Sequence, residues 1–278
     1  MQFGISTHIF HDRRLDRDHL GQIARYGFET IELFATRSHF DYRDESAIAQ
    51  LERWLADTGL RLHSIHAPIM DVFGRKPSTA YSVAAAAHDR RELAVKETEA
   101  ALKIASRIPF GFMVLHLGTP AGSSSPDDNH RAAAVRSLEE ICRAAEPLGV
   151  RVAVEVIPNR LSDASALASL LENEIDGCTP GICLDFGHAH LMGDVADAIE
   201  TVAEHLVSTH VHDNHGRDDE HLVPYLGSID WNLALATMQK IGYEGTYLME
   251  LADTGNPTAV LEEARRARQK FERALAHA

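Results

Sequence analysis

GVRVAVEVIPNRLSDASALASLLENEIDGCTPGICLDFGHAH, residues 149–190, reads as strand, helix, strand. Arg151–Ile157 is a short β-branched run, Asp163–Asn173 has helical spacing behind a capping aspartate, and Gly181–Asp185 is a second short apolar run. One helix between two such runs implies parallel strands joined by a right-handed crossover. Side chains alternate along a strand, so Val152, Val154 and Val156 suit a helix-covered face while Ala153 and Glu155 face the opposite way. Each run carries a carboxylate at or near its end, Glu155 in one and Asp185 in the other.

The same unit recurs in both directions. Further strands are predicted over Gln2–Ser6, Glu29–Phe34, Arg61–His66, Phe112–Leu117, Val207–Val211 and Gly245–Leu251. Helical patterns fall over about Asp16–Tyr26, Glu45–Asp57, Ala86–Arg107, Asp128–Glu146, Asp194–Glu204, Trp231–Ile241 and Pro257–His277. Gly27, Gly59, Gly149 and Gly242 follow helices and suit left-handed C-terminal caps, while Asp128 and Asp163 suit N-caps. Eight strand–helix units in 278 residues predict a single-domain (β/α)8 TIM barrel over residues 1–278. The long segments Ala67–Ala84 and Asn214–Asp230, and the shorter Gly118–Asp127, then become loops on the catalytic face.

A net charge of −14, from 41 acidic and 27 basic residues, argues against a broad nucleic-acid or anionic-membrane surface. The two long mouth loops carry only Arg75, Lys76 and Arg217 as cations, and Gly118–Ser125 is at most a weak phosphate loop. No apolar run is long enough to span a bilayer, and MQFGISTHIF lacks a signal-peptide layout. Three cysteines without a CxxC pair fit a reducing, cytoplasmic setting.

Chemistry gathers at the strand ends. The third strand ends in His66 and the fourth in His116, Glu155 lies near the end of the fifth, and the sixth ends in Asp185 with His188 beyond it. The seventh carries His210 and His212, its loop Asp219 and His221, and the eighth Glu250. Any one histidine is more often a satisfied core or surface residue than a ligand; acidic and imidazole groups in one phase on six strands are another matter. By phase His63 faces the helix layer and Cys183 fills the interior, whereas His11, His19, His39, His88, His130, His205 and His277 read as solvated and His190 as a helix-start residue. His8 and Glu32 end the first two strands and are candidates to line a pocket. Buried carboxylates around one axis repel one another unless a cation sits among them. Mixed carboxylate–imidazole donors suit Zn2+, Mn2+, Fe2+, Co2+ or Ni2+ better than Ca2+.

GICLDFGHAHLMGD at 181–194, the H-x-x-D of His210–Asp213, the D-x-H of Asp219–His221 and the IDW of Ile229–Trp231 are similar to segments of the xylose-isomerase-like TIM barrels. That superfamily includes sugar isomerases and epimerases, inosose dehydratase and endonuclease IV, and the resemblance spans essentially the whole chain. From the sugar epimerases it implies one divalent ion (Mn2+, Zn2+, Co2+, Fe2+ or Mg2+) on Glu155, Asp185, His210 and Glu250, with the two glutamates as acid/base pair. It also implies substrate contacts from His188 and Arg217, with His212 as a rival metal ligand or pocket residue. From endonuclease IV it implies further metal ligands at His66, His116, His188, Asp219 and His221, with room for up to three ions.

The expected activity is metal-dependent isomerisation or epimerisation of a small sugar, sugar phosphate or polyol-derived ketone through a stabilised enediolate. A dehydratase on the same metal site and a multinuclear zinc phosphodiesterase are the alternatives, with a non-catalytic metal-binding barrel behind them. The expected partner is a small molecule, not nucleic acid or membrane, and the resemblance allows a homo-oligomer.

Overall fold

A computed structural model describes residues 2–72, 79–121 and 126–276. Within them lie eight strands: β1 Gln2–Ser6, β2 Thr30–Phe34, β3 Arg61–His66, β4 Phe112–Leu115, β5 Arg151–Glu155, β6 Gly181–Asp185, β7 Leu206–Val211 and β8 Thr246–Met249. Each pairs in parallel with the next, and β1 closes on β8, so the sheet is a closed barrel. Nine α-helices are described: α1 Arg17–Arg25, α2 Glu45–Thr58, α3 His88–Leu102, α4 Arg131–Ala145, α5 Ala164–Asn173, α6 Phe186–Met192, α7 Val195–Val202, α8 Trp231–Lys240 and α9 Pro257–Ala276. None is long and apolar enough to cross a membrane. Arg75, Lys76, residues 122–125 of the Gly118–Ser125 segment and His277 lie outside the described residues.

All eight expected strands are present. Those ending in Leu115, Glu155 and Met249 stop two residues sooner than their apolar patterns suggested. The ladder still continues past two of these ends, from Val156 N–H to the Cys183 carbonyl at 3.0 Å and from Glu250 N–H to the Val211 carbonyl at 3.2 Å. These bonds hold the first residues of the mouth loops in the barrel wall.

The helix boundaries carry three corrections. The expected helix over residues 86–107 ends at Leu102 and tightens into a 3₁₀ turn, Lys103–Ser106. Asp128 does not cap α4, whose N-cap is His130; Asp128 instead forms an ion pair with Arg90 at 2.7 Å. The short helix α6 follows β6 with no loop between, because Asp185 caps it by accepting the His188 N–H at 2.7 Å. Asp163 caps α5 as expected, and Gly59 and Gly149 take left-handed conformations where the chain leaves a helix.

Packing follows the alternation. Val152, Val154, Ile182, Leu184 and Met249 point into the layer between sheet and helices. Each fully buried aliphatic side chain there stabilises the fold by about 1.5–3 kcal/mol. Val114, Ala153 and Cys183 fill the barrel interior against Phe112 and Val207. This plug leaves the upper interior to polar side chains.

Candidate metal centre

Directly above the plug, four side chains from four neighbouring strands converge. Glu155 and Asp185 are the last residues of β5 and β6, His210 lies in β7, and Glu250 follows β8 by one residue. All four are buried, and one donor atom from each lies within 4.8 Å of the others. His210 Nδ1 is 3.2 Å from Glu155 Oε1, 3.5 Å from Glu250 Oε2 and 3.9 Å from Asp185 Oδ2. Glu155 Oε1, Glu250 Oε1 and His210 Nδ1 are buried and make no hydrogen bond. Lone pairs facing one another in a buried space are what a cation accommodates, so the donor set fits a divalent ion.

Two further groups flank this one. Glu155 Oε2 also faces His116 Nε2 at 3.1 Å and His66 Nε2 at 3.3 Å, so the same carboxylate belongs to both groups. On the other side His188, His212, Asp219 and His221 form a third group. There Asp219 Oδ2 lies 3.2 Å from His188 Nε2 and 3.1 Å from His221 Nε2, while His212 Nε2 is 3.0 Å from the Asp185 carboxylate.

The rings are aimed by what lies behind them. His8, His66, His188 and His221 place Nδ1 against the carbonyls of Leu251, Ala67, Val156 and Glu250 at 3.1, 2.8, 3.1 and 3.0 Å. A carbonyl only accepts, so Nδ1 carries a proton and Nε2 is the nitrogen each ring turns toward the centre. His210 is reversed. Its Nε2 lies 3.1 Å from Glu32 Oε2, which leaves Nδ1 for the carboxylate ring.

Electrostatics reflect the crowding. Burial pushes the Glu155 carboxyl up, but His210 and His116 outweigh it and hold it well below the usual carboxylate range. Burial lowers His188, yet Asp185 and then Asp219 raise it well above an ordinary imidazole. Burial likewise opposes the charged form of His221, but Asp219 lifts it to about 9. Protons on these rings balance the neighbouring carboxylates.

Every residue that the sequence placed in the metal set, obligatory or additional, is therefore in one of three adjoining groups. The candidates for substrate contact divide. His8 and His188 line a cavity of about 300 Å³ over the centre, together with His66, His116, His221 and Glu250. His212 is fully buried beneath it, its ring stacked on His221 at 4.0 Å. Glu32 is also fully buried and does not line the cavity, because it sits two residues, one layer of side chains, below Phe34. Arg217 is exposed and absent from the lining. His39, read as solvated, is buried: Nδ1 donates to the Arg13 carbonyl at 2.7 Å and Nε2 accepts from Thr7 Oγ1 at 3.1 Å. His19 does not stand free: its Nδ1 accepts the N–H of Asp16, the N-cap of α1, at 3.2 Å. The sequence reading missed the apolar wall of Phe34, Ile69, Met70 and Tyr81; Phe34 shares a strand face with Glu32, a signal that could have found it, whereas loop residues have no period to read.

Comparison with known proteins agrees with this architecture. The Methanocaldococcus jannaschii protein MJ1311 is 29% identical over 263 residues, covering 90% of this chain and 83% of that protein. A D-tagatose 3-epimerase-like protein superposes with a TM-score of 0.80 at 23% identity, over 99% of this chain and 97% of its own. IolI with a bound zinc atom gives a TM-score of 0.75 at 16% identity, covering 99% and 98% of the two chains. A family model described as xylose isomerase-like TIM barrel matches residues 20–271, and with its closed eight-stranded barrel the chain belongs to that family.

Proposed function

We propose that this chain is a divalent-metal-dependent isomerase or epimerase of a small sugar or polyol-derived ketone. The observation that carries the reading is the Glu155–Asp185–His210–Glu250 group beneath a cavity of small-molecule size. An ion held there supplies Lewis acidity toward a carbonyl and its neighbouring hydroxyl oxygen. Glu250 borders the cavity and is the carboxylate placed to take a proton from a bound carbon. Glu155 lies deeper with Oε1 free of hydrogen bonds, and serves as the second proton carrier while holding the ion. Phe34, Ile69, Met70 and Tyr81 exclude water from one side, and His8 Nε2 offers an acceptor for a substrate hydroxyl.

The likeness to a D-tagatose 3-epimerase-like protein supports sugar chemistry, and the zinc in IolI supports a metal on this fold. The test is solvent exchange. Metal-loaded protein incubated with a panel of ketoses and inososes in D2O should place deuterium beside the carbonyl, and Glu250→Gln should abolish it. No exchange with any member of the panel contradicts the reading. A dehydratase begins with the same proton abstraction and would be separated by loss of water from the product.

The two flanking ligand groups favour a second reading, multinuclear hydrolysis of a phosphoester. Three tightly held ions per chain together with phosphoester cleavage would replace the first reading. Against it, the cavity is lined by no lysine or arginine among the described residues, and the net charge is −14.

A further inference from the structure

Of the five imidazoles aimed at the mouth whose second nitrogen has a hydrogen-bond partner, four lean on backbone carbonyls. Such contacts are fixed by the strands. Only His210 rests on a side chain, and that side chain is the Glu32 carboxylate at 3.1 Å. The pair is fully buried, so its interaction is not weakened by solvent.

Glu32 is itself held. It pairs across the sheet with Ser64, whose hydroxyl donates to the same Oε2 at 2.8 Å. The β2–β3 register shifts between Ile31 and Glu32, the kind of local irregularity that re-aims a side chain. A carboxylate buried inside a barrel costs several kcal/mol unless it is well paired. Glu32 does not reach the cavity, so contact with substrate does not explain it.

We infer that Glu32 is a positioning residue: it fixes the His210 proton on Nε2, turns the Nδ1 lone pair toward Glu155, Asp185 and Glu250, and so sets the affinity of that group for a divalent ion. The inference rests on the metal-centre reading above. A neutral imidazole carries one proton; placed on Nδ1 it would occupy the electron pair a metal needs. With Glu32 accepting at Nε2, that alternative tautomer is disfavoured, and the carboxylate makes the ligating nitrogen more electron-rich.

The test is a Zn2+ titration of purified protein against a chromophoric chelator, for wild type and Glu32→Gln. Glu32→Gln keeps the shape and removes the charge, and its affinity should fall about 10–100-fold. Thermal melting of the metal-free proteins reports any merely structural effect. In the zinc-loaded wild type, nitrogen-15 NMR of histidine should show one ring protonated at Nε2 and ligating through Nδ1; Glu32→Gln should shift or lose that signal. Unchanged zinc affinity with an unchanged ring signal overturns the inference, even if melting falls. If Glu32→Gln does not fold, Ser64→Ala removes one hydrogen bond from the same oxygen and should weaken zinc binding about three- to tenfold; equal affinity again overturns it. A wild type that binds no zinc defeats the metal-centre reading itself, a different result from wild-type binding that the variants leave intact.

Discussion

The Asp213 carboxylate accepts the indole N–H of Trp231 at 2.8 Å, which ties the end of β7 to the start of α8 across the whole intervening loop. The same carboxylate also accepts the backbone N–H groups of Asn214, Tyr225 and Ile229 at 2.9, 2.9 and 3.1 Å. Asp213 and Leu222 exchange both backbone hydrogen bonds as an isolated antiparallel bridge. This buried node holds the loop that carries Asp219 and His221 over the centre. Asp213→Ala would leave four donors without their acceptor, so unfolding free energy should drop by about 2–4 kcal/mol in denaturant melts. Bound metal should decline with it; a variant with full stability and full metal content would show that the loop is held by other means.

Gly187 gives a second prediction. A Cβ built there would stand 1.9 Å from His212 Cε1 and 2.3 Å from its Nδ1. Gly187→Ala must therefore push the imidazole off its 3.0 Å contact with Asp185. The expected cost is about 1–3 kcal/mol of stability, the usual penalty for overpacking. Metal uptake by the neighbouring groups should weaken in the same variant, and a chelator-competition assay reads this directly. Unaltered uptake would remove His212 from the account of the centre.

The buried His39 makes stability depend on pH. Burial lowers its value from 6.5 to about 4 against the opposing hydrogen bond to Arg13, so the neutral ring is the native form. The folded value lies below the unfolded one. Its contribution is complete above about pH 6.5 and is lost as pH falls toward 4. The shift corresponds to about 3 kcal/mol. His39→Gln should be less stable than wild type at pH 7 but should lose less on acidification between pH 6.5 and 4. Parallel pH profiles for the two proteins would contradict this.

Much of this was legible in the chain because two simple periods govern a parallel barrel. Alternation placed Glu155 and His210 on the inner face, and the order of strands placed them next to Asp185 and Glu250. Depth was not legible. Glu32 and Phe34 share one face of β2, yet one supports His210 from below while the other walls the cavity, and phase is the same for both. Helix α6 was missed because seven residues starting directly on a strand's last residue offer too little helical period. His39 read as solvated because a loop histidine has no pattern, and only the fold brings the Arg13 carbonyl and the Thr7 hydroxyl to its two nitrogens. The H-x-x-D and IDW motifs were recognisable by resemblance, but the bond between Asp213 and Trp231 that joins them needed coordinates.

Whether the acidic ring at the mouth holds a divalent cation is read by elemental analysis of the purified protein, paired with melting before and after treatment with a strong chelator. The expected result is at least one equivalent of a transition-type metal per chain, and a melting temperature that falls on chelation and recovers when metal is returned. Protein that carries no metal after exposure to Zn2+ and Mn2+, with a melting temperature indifferent to chelator, would contradict it.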